Sequence, residues 1–350
     1  MAKTMKAAVM KDIRRIEIEE LPIPVPRENE VLIRIRSVGI CGSDVHYFVE
    51  GRIGDFVVHP PFILGHECSG EVVEIGKGVK NLKPGDRVTM EPGIPCGKCE
   101  FCRAGRYNLC PDVVFWATPP VDGTFCEYVV HPAHFTYPIA PNVSFEEAAL
   151  VEPLAVGMYA TWRAQVRPGD LAIVLGSGPI GLVTLEALLA RGVTEVIAVD
   201  VVEKRLEKAR EIGAQHVINA QREDVREKVL SLTHGKGVDV VFETAGSVVT
   251  TQLTVELAKR GGKVVLVGLP SITHFDFGVI KILDKELDVL GVFRYANMYK
   301  GCVDLLNAGR VNLKTLITHR FSLQKTEEAL LFAHEHKAES IKVVVDLEGT

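Results

Sequence analysis

No apolar run in this 350-residue chain approaches the roughly 18 residues that a membrane-crossing helix needs. A membrane span is therefore not expected. The opening residues, Met1-Ala-Lys-Thr-Met-Lys-Ala-Ala-Val-Met10, lack the apolar core of an export signal, which points to the cytoplasm. Lys and Arg form no block and no stripe interleaved with aromatics, and the formal charge is -5. Neither nucleic acid nor an anionic membrane is thus an expected partner. Internal repeats and low-complexity segments are missing as well. Cysteine is sparse, at eight residues, and in a reducing compartment these should be thiols or metal ligands.

What the chain does contain is enough apolar material for a large core. With 47% hydrophobic and 24% charged residues over this length, a globular chain of two domains is expected. Four of the eight cysteines, Cys96, Cys99, Cys102 and Cys110, fall in one turn-rich lobe (about 92–112) with the spacing C-x2-C-x2-C-x7-C. Two-residue gaps bring thiolates together around a tetrahedral zinc ion, and a closed four-thiolate site is structural. Incidental thiols or two disulfides are the alternatives, disfavoured by the spacing and by the lack of an export signal. Cys68, Cys126 and Cys302 read as buried small hydrophobes.

The first 140 or so residues read as short strands punctuated by Pro and Gly, a barrel-like β domain, with residues 31–36 and 71–75 alternating apolar and charged. Near Ser144 the texture changes. Ser144 and Glu147 form a capping box ahead of a helix expected to carry Glu152, Pro153 and Met158. Residues 171–175, 195–199, 238–242 and 263–267 then read as buried parallel strands, separated by helical stretches such as 203–212 and 249–259. This is the pattern of an α/β doubly wound sheet. Two helical stretches and a last strand at 341–345 follow residue 295, and that strand is expected to return to the first domain.

A dinucleotide fingerprint, Gly176-Ser-Gly178-Pro179-Ile180-Gly181, directly follows a strand and opens a helix. Gly176 permits the tight turn, Gly178 lets backbone approach a pyrophosphate, and Gly181 allows close packing of helix on strand. The second strand ends in Asp200, where a carboxylate would bind the ribose hydroxyls and repel a 2′-phosphate, favouring NAD over NADP. A solvated strand end is the plainer reading of Asp200. Lys204 and Arg205 lie close by and soften the discrimination, although Arg205 can also stack on adenine.

Cys41, His66, Glu67 and Glu152 are zinc-competent ligand types at separated positions. Singly, each has an ordinary explanation: a core thiol, a core histidine, a paired charge, a helix-start carboxylate. Together with the cysteine lobe and the nucleotide fingerprint, the chain resembles the zinc-dependent medium-chain alcohol and polyol dehydrogenases along essentially its whole length. The resemblance rests on Gly65-His-Glu67 with Gly70, Gly76 and Val79, and on Pro84-Gly-Asp-Arg-Val88. Likeness to the sorbitol and xylitol dehydrogenases within that family is carried by Cys41-Gly-Ser-Asp-Val-His-Tyr47, Gly51-Arg-Ile-Gly-Asp-Phe56, Ala117-Thr-Pro-Pro120, Val151-Glu-Pro-Leu154 and Gly291-Val-Phe-Arg-Tyr295.

That resemblance implies a GroES-like, β-rich catalytic domain over residues 1–153 and 296–350, and a Rossmann NAD-binding domain over 154–295. It implies a catalytic zinc on Cys41, His66 and Glu67, with Glu152 binding directly or through water, and hence two zinc ions per subunit. Tyr47, Glu152, Arg294 and Tyr295 would face a polyol or ketose, while Val267, Gly268, Leu269, Val292, Phe293 and Arg294 would contact the nicotinamide end of the cofactor. The expected chemistry is hydride transfer to NAD, the proton leaving through a relay of Ser43 and His46, an assignment that competes with His46 as an exposed loop residue. A homotetramer or homodimer is implied. A threonine 3-dehydrogenase and a non-catalytic structural member are the alternative readings, the latter disfavoured by the retained Cys41, His66, Glu67 and Glu152.

Overall fold

A computed structural model describes residues 3–270, 272 and 274–347. The chain forms two compact units: one comprises residues up to Glu152, Tyr299–Gly309 and the residues from Leu313 on, the other Pro153–Met298 with Arg310–Asn312. No helix among the described residues is long and apolar enough to cross a membrane.

The first unit is built on a mixed seven-stranded sheet. Its central strand, Glu30–Gly39, pairs antiparallel with Glu67–Ile75 on one side and with Lys342–Asp346 and Tyr128–Pro132 elsewhere along its edges. Ile33, Ile35 and Val38 from this strand are fully buried beside Met10, Phe48, Leu64 and Phe125. Each such side chain contributes on the order of 1.5–3 kcal/mol relative to exposure. The register sets Gly39 opposite both Glu67 and Val344, so three distant stretches of sequence meet at one end of the sheet. A Cβ in place of an α-hydrogen at Gly39 would lie 2.2 Å from a Glu67 carboxylate oxygen, which explains why glycine stands there.

Six parallel strands make the sheet of the second unit. Numbered in chain order they are Leu171–Leu175, Glu195–Asp200, His216–Asn219, Val238–Glu243, Ala258–Leu266 and Asp288–Gly291, and they lie in the order three, two, one, four, five, six. Strand order reverses between the first and fourth strands, whose carboxyl ends open the crevice used by nucleotides in sheets of this kind. Ile173, Leu175, Ile197, Val241 and Val264 are buried, as expected for strands covered on both faces. The helix Pro179–Ala190 is apolar around its circumference and buried along most of its length.

Two helix expectations need correction, and three strands went unread in the sequence. The Ser144 capping box is present, but its helix ends after Phe145–Ala149 and a second helix, Val151–Arg163, begins beyond Leu150. Pro153 lacks the N–H that a continuous helix would donate to Ala149, and it fits only in a first turn, where amides are unpaired anyway. The helix expected to reach Lys259 stops at Leu257, where Ala258 turns extended and starts the fifth strand. The strands His216–Asn219, Asp288–Gly291 and Ile317–Ser322 carry too little alternation to be read from sequence.

Candidate active site

Cys41, His66 and Glu67 converge in the first unit, each offering one donor atom within 4.8 Å of the others. Cys41 caps the helix Gly42–Glu50, while Glu67 opens the strand Glu67–Ile75 and His66 lies in the irregular stretch just before it. His66 and Glu67 are buried and Cys41 partly so. A buried thiol, imidazole and carboxylate together form a donor set suited to zinc. The buried His66 Nδ1 makes no hydrogen bond of ordinary geometry among the described residues.

One buried carboxylate ties this cluster together. Asp44 accepts from the Cys41 amide at 3.0 Å through one oxygen and from the Gly65 amide at 2.9 Å through the other. The latter oxygen also lies 3.5 Å from His66 Nδ1. Burial alone would lower the His66 pKa, but Asp44 and then Cys41 outweigh it and hold the ring well above the ordinary histidine range. The field that favours a proton there equally favours a metal cation.

Lys342 supplies the opposite charge. Its Nζ lies 2.8 and 2.7 Å from the two Glu67 oxygens and donates to the Ile40 carbonyl at 3.1 Å. Both side chains are nearly sealed from solvent, at 3% and 1% exposure. Burial works to lower the Lys342 pKa, but Glu67 and Cys41 reverse the effect, so the ammonium stays charged.

Glu152 does not join the three-donor cluster. It is buried at the start of Val151–Arg163, and its charge acts on Lys342 and Cys68. Tyr47 is buried in the same helix that carries Ser43, which is half-buried, and His46. His46 Nε2 lies 3.1 Å from the Glu50 carboxylate, one helical turn on and open to solvent. Arg294 and Tyr295 belong to the second unit, Arg294 with φ 50° and its guanidinium over the Phe293 ring, Tyr295 buried.

The cysteine lobe forms a second donor cluster. Cys96, Cys99, Cys102 and Cys110 have sulfurs within 4.8 Å of one another, and none is in a disulfide. Cys99 and Cys102 sulfurs are 3.4 Å apart, and the Cys102 amide donates to Cys99 Sγ at 3.4 Å. The Lys98 and Cys99 amides lower the Cys96 pKa to about 7. Amides turned toward sulfur favour thiolate, the form that binds metal. Beside the lobe, Tyr107 and Tyr137 donate to the two oxygens of buried Glu91 at 2.7 and 3.2 Å.

In the second unit Gly176 has φ 97°, and a Cβ on Gly181 would lie 1.8 Å from the Gly176 carbonyl. Gly178 caps the helix that begins with Pro179 and Ile180. Asp200 Oδ1 accepts from the Val201 and Val202 amides, and Oδ2 from the Ser177 amide at 2.7 Å, with Arg205 3.7 Å away. Asp200 therefore fastens the glycine turn to the end of the second strand. Glu243 does similar work opposite: its side chain accepts from the Ala245 and Gly246 amides, and its carbonyl accepts from the Val267 and Gly268 amides. Leu269 and Phe293 are exposed, while Val292 donates to the Leu266 carbonyl.

Comparison with known proteins gives this geometry a family. Residues 27–141 match the alcohol dehydrogenase GroES-like domain, and residues 179–308 match the zinc-binding dehydrogenase domain. The sorbitol dehydrogenase of Bacillus subtilis is 47% identical over 343 residues, covering 98% of this chain and 97% of that one. The chain belongs to the zinc-dependent medium-chain dehydrogenases. Among solved structures, an Escherichia coli oxidoreductase of unknown specificity superposes with a TM-score of 0.94 at 42% identity, over 98% of this chain and 99% of the other. A zinc-binding dehydrogenase from Sinorhizobium meliloti, bound to NADP, gives 0.91 at 32% identity, over 98% and 99%.

For a zinc-dependent dehydrogenase the donor sets fit: one mixed buried cluster and one four-cysteine cluster. Sequence reasoning missed Asp44, Lys342 and Glu243. Asp44 stands inside Cys41-Gly-Ser-Asp-Val-His-Tyr47, and its i+3 spacing from Cys41 is the signature of a capping box. Lys342 gave no local signal, because its partner lies 275 residues away.

Proposed function

We propose that this dehydrogenase is an NAD-dependent polyol dehydrogenase that interconverts a sugar alcohol and its ketose, with one catalytic and one structural zinc per subunit. The observation that carries the reading is the buried convergence of Cys41, His66 and Glu67 within 4.8 Å. These three residues hold the catalytic zinc, with Glu152 binding directly or through water, and the four lobe cysteines hold the structural one. Zinc in the mixed cluster supplies a Lewis acid that lowers the pKa of a hydroxyl by several units, while NAD accepts the hydride.

The protein's own groups orient and move protons. Asp44 fixes the backbone of both Cys41 and Gly65, so thiol and imidazole keep their positions. Ser43 takes the substrate proton and passes it toward His46, where Glu50 at 3.1 Å stabilises the charged ring before release to water. Tyr47, Glu152, Arg294 and Tyr295 pair with the several hydroxyls of a polyol; a simple alcohol would leave them unsatisfied. Gly176, Gly178, Pro179, Ile180 and Gly181 receive the pyrophosphate, and Val267, Gly268, Leu269, Val292, Phe293 and Arg294 the nicotinamide end. Asp200 favours NAD, with Arg205 held 3.7 Å from its carboxylate. A cytoplasmic homodimer or homotetramer completes the proposal, testable by light scattering.

The test is reduction of NAD and NADP by the purified protein with sorbitol, xylitol, L-threonine and ethanol, each with and without a zinc chelator. Chelator-sensitive polyol turnover with NAD is expected. Turnover of L-threonine alone, or preference for NADP, would overturn the corresponding part.

A further inference from the structure

The second unit contains a cavity of about 430 Å³ lined by Trp162, Arg163, Gln165, Val166, Arg167 and Arg191. It sits where the helices Val151–Arg163 and Pro179–Ala190 end, whereas the glycine turn sits where the latter begins. Twelve residues at 1.5 Å each separate the two ends by about 18 Å, so this is not the dinucleotide site.

Three guanidiniums and no carboxylate line the cavity. Arg191 is engaged, donating to Thr161 Oγ1 at 2.8 Å and to the Met158 carbonyl at 3.3 Å. Arg163 and Arg167 have no ion pair or side-chain hydrogen bond among the described residues. Two helix C-termini together carry about one negative charge. Asp170 adds another nearby, accepting from the Arg167 amide, but Lys263 brings a further cation to the Ala164 carbonyl. Positive charge remains in excess, so neutralising helix ends does not account for the cluster. Trp162 is 49% exposed at the rim, its inner face stacked on Tyr159 with ring centroids 5.4 Å apart. Arginine forks match phosphate oxygens, and an open indole face matches a planar base.

We propose that this cavity binds a nucleoside polyphosphate, its phosphates held by Arg163 and Arg167 and its base stacked on Trp162. The site is separate from the dehydrogenase reaction and does not depend on the polyol reading. ATP serves as the probe, added to full-length protein already loaded with one equivalent of NADH and followed by calorimetry and tryptophan fluorescence. Saturable binding of one ATP with NADH retained is expected. Arg163→Ala and Arg167→Ala should each weaken it about tenfold or more. Inorganic tripolyphosphate, lacking a base, should bind about tenfold more weakly than ATP. Trp162→Phe should keep the calorimetric signal and lose the fluorescence change, since the other tryptophan, Trp116, is buried. Absence of saturable uptake at millimolar ATP, unchanged affinity in both arginine variants, equal binding of tripolyphosphate, or release of NADH by ATP would each overturn the proposal.

Discussion

Replacing Lys342 with methionine should destabilise the metal-free protein far more than the zinc-loaded one. The ammonium meets both Glu67 oxygens at 2.7 and 2.8 Å with both partners almost fully enclosed, so no solvent screening discounts the pair. Removing one partner of such a pair costs about 3–5 kcal/mol, because the other charge is left buried and uncompensated. For a unit of 150–250 residues, each kcal/mol corresponds to about 2–4 °C, which gives a fall on the order of 10 °C in the unit that holds the site. Zinc offers Glu67 a replacement cation, so the midpoint gained on adding zinc should be larger in Lys342→Met than in the parent. Scanning calorimetry of stripped and reloaded protein measures both quantities. Glu67→Gln in the Lys342→Met background should restore most of the metal-free stability, since it removes the stranded charge. A metal-free midpoint within 2 °C of the parent, or additive effects of the two substitutions, would refute the reasoning.

Glu91 sets a pH dependence whose sign follows from its burial. Burial pushes its pKa from 4.5 up to about 7 despite the bonds from Tyr107 and Tyr137, so the folded state binds the proton more tightly than the unfolded one. Its stabilising contribution is present below pH 4.5 and lost as pH rises toward 7, by up to about 3 kcal/mol. Glu91→Gln should therefore gain on the parent between pH 5 and 8 in urea unfolding, and parallel pH profiles would contradict this. Cys102→Ser should lower bound zinc from two ions per chain to one by elemental analysis and drop the melting midpoint by several degrees. Retention of two ions would rule out the lobe as a zinc site. Gly181→Ala sets a Cβ against the Gly176 carbonyl, so the Kd for NADH should rise at least tenfold with zinc content unchanged. Equal NADH affinity would mean that the turn tolerates the displacement.

Features set by neighbouring residues were readable from the sequence. The cysteine spacing and the run from Gly176 to Gly181 each complete their geometry within a few residues, and the lobe and the glycine turn are formed as those spacings imply. Strong apolar runs such as 171–175 and 195–199 marked the parallel sheet for the same reason. Helix punctuation was harder: Ser144 announced a start, but the stop at Leu150 comes from Pro153 three residues later. Cys41, His66 and Glu67 were legible as ligand types, whereas their meeting depends on strand register between Gly39 and Glu67. Least readable was Lys342, an apparent surface residue by composition that the pairing of Lys342–Asp346 with Glu30–Gly39 carries inside.

That pairing also puts a clock on biosynthesis. The Lys342 Nζ donates to a carbonyl 302 residues earlier in the chain. At translation speeds of about 5–20 residues per second, Ile40 leaves the ribosome some 15–60 s before its partner. From its own synthesis 275 residues before Lys342, Glu67 has no ammonium beside it, and the central strand lacks one neighbour, so the nascent chain must wait with an unfinished edge. Metal supplied during the wait would meet a carboxylate free of its competing cation, which makes co-translational loading and loading of the finished protein physically different events.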